Sequence, residues 1–253
     1  MYQGTPRRPV VAGAFYPAEP HQLRAEIERY LAAARRQELP GEVVGLVSPH
    51  AGYVYSGPVA ASAYRQVAGE VYDLVVVVSP SHRTYFAGFS VYSAGDYLTP
   101  LGEVPVDLEL ARRLQAEYDG FHFVPQAHAG EHALEVQLPF LQVALPAFRL
   151  LPLIMLLVAS SDLSHYHPQE EAVLLDRRLV AAVEANDPRQ LWQTVESGQA
   201  EACGAGPMTA VMLTAARLGA TASRVLDYRT SGDTAGDRRQ VVGYLAAVFC
   251  RED

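Results

Sequence analysis

Cysteine is nearly missing from this chain: Cys203 and Cys250 are the two in 253 residues. Two thiols make no disulfide framework, which excludes the small stapled folds of secreted proteins. No basic run occurs either, and the formal charge is −8 with both signs mixed along the chain. Nucleic acid is therefore not expected as a partner, because proteins that neutralise phosphates cluster their basic residues. The start, "MYQGTPRRPVVAGAFYP", lacks the charged opening and apolar core of a signal peptide. No apolar stretch reaches the ~18 residues that a membrane helix needs. Internal repeats and low-complexity linkers are also absent. The expectation is a cytoplasmic protein with no membrane or nucleic-acid partner, folded as a single domain over residues 1–253.

What is present alternates between helix and strand signals. His21 to Arg36 carries Leu23, Ile27, Tyr30 and Leu31 at helical spacing behind Pro20. Val43 to Val47 and Val71 to Val78 are β-branched runs without polar alternation, the pattern of strands buried on both faces. Ser90 to Ser93 reads as a further strand, and Asp107 to Tyr118, His132 to Val143 and Pro168 to Ala185 read as helices. Pro207 to Leu218 opens with proline and stops at Gly219, as helices do. Val241 to Phe249 closes the chain as a strand. The pattern predicts an α/β fold, a mainly parallel central sheet flanked by helices.

One stretch resists this reading. "FRLLPLIMLLVAS" is almost unbroken apolar sequence, long for a strand of the usual ~5–6 residues. It reads as two strands, Arg149 to Met155 and Leu156 to Ala159, abutted without a connection, or else as one long bent strand. Parallel neighbours need a crossover of roughly a dozen residues or more, so a segment is expected to be missing between Met155 and Leu156.

Three apolar runs end in similar polar clusters: Ser48-Pro49-His50, Ser79-Pro80-Ser81-His82, and Ser160-Ser161-Asp162 with His165. In open parallel sheets, ligands bind outside the carboxyl ends of the strands, so these endings deliver side chains to one rim. Neutral imidazole is the commonest metal ligand, which makes His50 and His82 half of a candidate metal site. The third ligand is Cys203, just before the helix opening at Pro207, where the helix dipole favours a thiolate. Glu201 is an alternative carboxylate donor. "HAGEHALEVQ" has the wrong order for the zinc-protease signature His-Glu-x-x-His. Glu131, His132 and Glu135 are instead candidate partners that orient metal-bound histidines. Tyr53 and Tyr55 are candidate pocket residues, and Asp227 to Arg239 reads as a solvated loop.

"AGAFYP", "PHAGYVYSG", "SPSH", "EHALEVQLPFLQ", "SSDLSHY" and "YRTSGD" occur in the order found in the MEMO family, which the chain resembles over nearly its whole length. The family in turn is similar in fold to the class III, LigB-type extradiol dioxygenases, which hold Fe(II) with two histidines and a glutamate. The resemblance implies His50, His82 and Cys203 as metal ligands, with His165 as catalytic acid/base and Asp162 beside it. It also implies a metal-dependent redox protein, with iron or copper as cofactor, zinc as an alternative, and O₂ or a small molecule as substrate. Prokaryotic members are often called the B protein of the AmmeMemoRadiSam system, which implies a radical-SAM partner. Eukaryotic members are described as peptide readers and metal chaperones, so a non-catalytic ligand- or metal-binding role stays open. Family members usually carry a helix-containing segment at the Met155–Leu156 seam.

Overall fold

The computed structural model describes residues 6–150 and 156–252. In chain order the elements begin with α1 (Pro20–Ala33), β1 (Gly41–Ser48), α2 (Tyr53–Tyr64) and β2 (Leu74–Val78). Four short strands and three helices follow: β3 (Phe89–Ser90), β4 (Tyr97–Thr99), β5 (Gly102–Val104), α3 (Leu108–Glu117), β6 (Phe121–His122), α4 (Pro125–Ala129) and α5 (Ala133–Ala144). Next come β7 (Arg149–Leu150), β8 (Leu156–Ser160), β9 (Asp162–His167), α6 (Gln169–Glu184), α7 (Pro188–Glu196) and α8 (Ala205–Arg217). The last elements are β10 (Ala222–Thr230), α9 (Ser231–Ala235) and β11 (Val241–Glu252).

The main sheet runs β10-β11-β1-β8-β2-β7, with β9 added against β11. Its β1-β8-β2-β7 half is parallel, as the unalternating valine runs predict. β11 lies antiparallel to β1 and carries β10 and β9 as further antiparallel neighbours, a wing the sequence pattern did not reveal. Successive strand residues serve opposite faces, as the pleat requires. Leu46, Val75, Val158 and Val248 join the core under α1, α2 and α5, while Val47, Val76, Ala159 and Phe249 join the one under α6, α7 and α8. Each of these valine, leucine and phenylalanine side chains removed from water contributes about 1.5–3 kcal/mol. An α/β fold with helices on both faces is the result.

Arg149–Leu150 and Leu156–Ser160 are two separate strands on opposite sides of β2, not one bent strand. The expected gap between Met155 and Leu156 lies outside the described residues. Asp227 to Arg239 differs from its reading as a loop. Asp227–Thr230 completes β10, and Ser231–Ala235 forms α9, closed by a capping box between Thr230 and Asp233. The charged residues that suggested a loop are tolerated because β10 lies at the end of the sheet order.

Asp176 of α6 is fully buried and accepts hydrogen bonds from the Ser164 backbone N–H (3.0 Å) and the Tyr228 hydroxyl (2.7 Å). Gly243 makes room for it, since a Cβ there would meet Asp176 Oδ2 at 2.0 Å. Burial raises the Asp176 carboxyl above the ordinary 3.8, despite the opposing bonds from Tyr228 and Ser164. The folded state thus binds this proton more tightly than the unfolded chain. That contribution is fully present below the unfolded value and is lost as pH rises through the raised folded value. Asp176→Asn should remove the slope: from about pH 4 upward, wild type should lose urea stability relative to the variant. A difference independent of pH would show that the carboxyl is not raised.

Candidate metal centre

The rim forms because three neighbouring parallel strands end level, Ser48 opposite Ser160 in β1 and β8, and Val78 opposite Ala159 in β2 and β8. His50 and His82 leave the ends of β1 and β2, and Pro49 and Pro80 terminate the ladders before them. A third imidazole, His132, meets them at the start of α5. Ring centroids lie 5.1 Å apart for His50–His82, 5.6 Å for His50–His132 and 4.7 Å for His82–His132. One ligand atom from each lies within 4.8 Å of the others, a group able to hold a metal ion. The sequence reading had placed His132 among the orienting partners, whereas here its own ring points into the group.

The hydrogen bonds around the rings determine which nitrogen is free. Gln137 Nε2 donates to Ser160 Oγ at 2.9 Å, and Ser160 Oγ donates to the Ala133 carbonyl at 3.1 Å. With its proton used, Ser160 Oγ accepts from His50 Nδ1 at 2.8 Å, leaving the Nε2 lone pair for a metal. Glu131 Oε1 accepts from His82 Nδ1 at 2.9 Å and lies 3.2 Å from His132 Nδ1, so their Nε2 atoms are left in the same way. The same carboxylate accepts the backbone N–H groups of His82 (2.6 Å), His132 (2.8 Å) and Ala133 (2.9 Å). Burial alone would raise Glu131, but the His132 and His82 bonds hold it well below the usual carboxylate range. Glu131 is therefore an anionic clamp beside both rings.

Burial, then the neighbouring His82 charge, lowers His50 well below the ordinary histidine value, so its ring is neutral and ready to ligate. The Glu131 bond instead raises His82, so a proton competes with a metal more strongly there than at His50.

Cys203 Sγ lies 3.3 Å from His50 Nε2 and accepts the Asp162 backbone N–H at 3.3 Å. Donors at ~2.0 and ~2.3 Å from one tetrahedral ion sit roughly 3.5 Å apart, so this spacing suits an ion shared with His50, although the thiol is not part of the three-histidine group. Gly204 allows this approach, since a Cβ there would meet the Ser160 carbonyl at 2.4 Å. The pull of the helix start toward a thiolate is opposed by the thiol's surroundings. Burial, then the Asp162 charge, pushes the Cys203 thiol up to about 12. A bound metal would pull the other way, favouring loss of that proton.

Asp162 accepts the His50 backbone N–H at 2.8 Å, and burial raises its carboxyl. His165 lies close enough for its charge to bear on both His50 and Asp162. Glu201 is engaged elsewhere, accepting from His167 Nε2 (3.0 Å) and the His165 backbone (3.3 Å). Tyr53 is buried and donates to the Val136 carbonyl at 2.7 Å, tying α2 to α5, whereas Tyr55 is exposed. Glu135 is also turned to structural use. It accepts from the Val10 and Val11 backbone, the Tyr16 hydroxyl (2.6 Å) and the Arg7 guanidinium.

Gln137 escaped the sequence reading. Fully buried, it donates to both Pro49 O and Ser160 Oγ at 2.9 Å and accepts from Tyr64 at 2.7 Å. A lone amide inside the apolar run "LEVQLPFL" is the signal that could have found it, because a buried amide needs partners.

Comparison with known proteins points the same way as the motifs. A MEMO1 family protein of Methanothermobacter thermautotrophicus is 36% identical over 275 residues, covering 94% of this chain and 98% of that protein. One from Methanopyrus kandleri is 36% identical over 284 residues, covering 97% and 99%. One from Aeropyrum pernix is 38% identical over 278 residues, covering 95% and 98%. The family model described as Memo-like protein matches residues 7–157 and 155–248, nearly the whole chain. The three-histidine rim is thus carried by a chain that belongs to the Memo-like protein family.

Proposed function

We propose that this chain is a metal-dependent redox protein whose ion, iron or copper, is held by His50, His82 and His132, with Cys203 as a further donor. The observation that carries the reading is the group of three imidazoles, one ligand atom of each within 4.8 Å of the others; with Ser160 and Glu131 beside the Nδ1 atoms, the Nε2 lone pairs are the ones left for an ion. The donors suit the metals named, since imidazole takes iron, copper or zinc and a thiolate adds preference for soft ions. A bound iron or copper ion would supply electron exchange with O₂ or a small-molecule substrate.

The chain's own residues orient donors and handle protons. Glu131 fixes His82 and His132, and Ser160 fixes His50. His165 moves a proton at its imidazole with Asp162 orienting it, the roles the family resemblance implies, and Asp162 also holds the His50 backbone N–H.

The test loads anaerobically purified protein with Fe(II), Cu(I) or Zn(II), measures bound metal by ICP-MS, and follows O₂ uptake with a panel of catechols and thiols. The expected result is near-stoichiometric iron or copper with substrate-dependent O₂ uptake. His165→Gln should keep the metal and slow turnover about 10²–10⁴-fold. Stoichiometric zinc alone, without O₂ uptake, would overturn the redox reading. Metal bound without turnover of any panel member would favour a non-catalytic metal-binding role on the same donors.

A further inference from the structure

β9 carries both Asp162 and His165, at a spacing that a regular strand would make useless. They are three positions apart, so unbroken alternation would point them to opposite faces. His165 and His167, two apart, would then share a face. The pairing with β11 gives the reverse. Asp162 lies opposite Tyr244, His165 opposite Val242 and His167 opposite Val241. Residues directly opposite in an antiparallel pair share a face. Tyr244 and Val242 both pack into the core under α1, α2 and α5, so Asp162 and His165 stand together on that side. His167 stands on the other, where its Nδ1 meets Glu171 of α6 at 3.4 Å.

Two β-bulges in β9 produce this arrangement, and bulges are a common means of re-aiming a side chain beside a site. In the first, Leu163 and Ser164 together face the single residue Gly243. In the second, Tyr166 is extra between His165 and His167. Its φ of +63° is costly for a tyrosine, and its side chain is turned out to solvent. Glu201 closes this second bulge, accepting both the His165 backbone N–H at 3.3 Å and His167 Nε2 at 3.0 Å. The first bulge is held from inside by Asp176. The carboxyl of Asp176 fills the space that a Cβ on Gly243 would need, and it accepts the Ser164 N–H at 3.0 Å. Tyr228 of β10 donates to its other oxygen at 2.7 Å. Ser164 is fully buried, so water cannot replace this acceptor. Without it, regular pairing becomes the way to satisfy the strand, and that pairing sets Ser164 opposite Val242 and turns His165 toward α6.

We propose that Asp176 is a positioning residue of the site: from α6 it holds the Leu163–Ser164 bulge that brings His165 onto the same side as Asp162. Asp176 itself touches none of the histidine rings and acts through the backbone of β9. The kinetic effect expected of it rests on the proton role proposed for His165, whereas the geometric effect does not.

Crystal structures of wild type, Asp176→Asn and Asp176→Ala test the geometry. Asp176→Asn keeps an acceptor for the Ser164 N–H, so the bulge and His165 should stay in place. Asp176→Ala should lose the bulge and turn His165 away from Asp162. If it does not fold, Asp176→Leu, which refills the space without an acceptor, takes its place. O₂ uptake with the catechol and thiol panel supplies the second readout. In Asp176→Ala kcat should fall about 10²–10⁴-fold at unchanged KM, the size expected for a lost general acid/base, and Asp176→Asn should restore it. Adding His165→Gln to Asp176→Ala should cause no further fall, because both changes remove the same group from the site. His165 unmoved in the acceptor-free variant would overturn the proposal. So would an equal fall in kcat when Asp176→Ala is made in the His165→Gln background. A wild type that turns over no panel member would count against the redox reading alone, and the crystal structures would still decide the role of Asp176.

Discussion

His132→Ala should lower metal affinity by more than 100-fold, because loss of an outer partner alone typically costs about 10–100-fold and His132 offers a donor atom directly. It is the most informative of the three histidines to remove. His50 is buried and interlocked with Ser160, so its loss also disturbs the ends of β1 and β8. His132 keeps 18% of its side chain exposed and rests edge-on against Phe15 at 4.9 Å, so its removal leaves a shallower gap. Cys203→Ser is the matched comparison. The Cys203 thiol must lose its proton to bind, and for iron or zinc that cost offsets part of what the sulfur contributes, so its loss should matter less than that of His132. Copper(I) should reverse the order, since soft ions select thiolate. Chelator-competition titrations of both variants with each metal would decide it. If His132→Ala binds iron and zinc like wild type while Cys203→Ser does not, the donor set is His50, His82 and Cys203.

Much of this site was legible because local sequence codes for it. The Ser-Pro-His endings announced strand termini, and parallel pairing of β1, β8 and β2 turned three separate endings into one rim. Pro207 and Gly219 likewise bracketed α8 to within a few residues. What escaped depends on contacts between distant segments. Glu131 meets His82 from 49 positions away, and nothing in "GEHALE" says that its carboxylate spans two rings. The protonated state of Cys203 follows from burial against Asp162, while the sequence showed only the helix start that pulls the other way. The antiparallel pairing of β11 with β1 was hidden for a similar reason, since a strand buried on both faces looks the same in either direction.

The second large effect concerns how the rim is held in place. Glu135→Ala should destabilise the protein by about 3–5 kcal/mol, the usual cost of leaving one partner of a buried ion pair alone. At roughly 2–4 °C per kcal/mol for a chain of this size, the melting temperature should fall by about 10 °C. The variant would strand Arg7, which is buried, and would release the Val10 and Val11 backbone and the Tyr16 hydroxyl together. Arg7 reaches onward to the carbonyls of Glu131 and His128, so the same pair secures the turn that presents Glu131 and His132. The segment between them adds a second tie, as the Phe15 carbonyl accepts the Tyr53 backbone N–H at 2.7 Å. Weaker metal uptake should therefore accompany the lower stability, although the Glu135 carboxylate bonds to Arg7, Tyr16 and the Val10 and Val11 backbone and not to the rings. A double-mutant cycle with Arg7→Met separates the two contributions: the double variant should recover part of the stability lost in Glu135→Ala, because no charge is then left buried. Metal affinity should stay reduced, since the anchor of the Glu131 turn is still gone. Simple additivity of the two losses would mean that Arg7 and Glu135 act separately, and unchanged metal uptake in Glu135→Ala would mean that the histidine rim holds its geometry without this anchor.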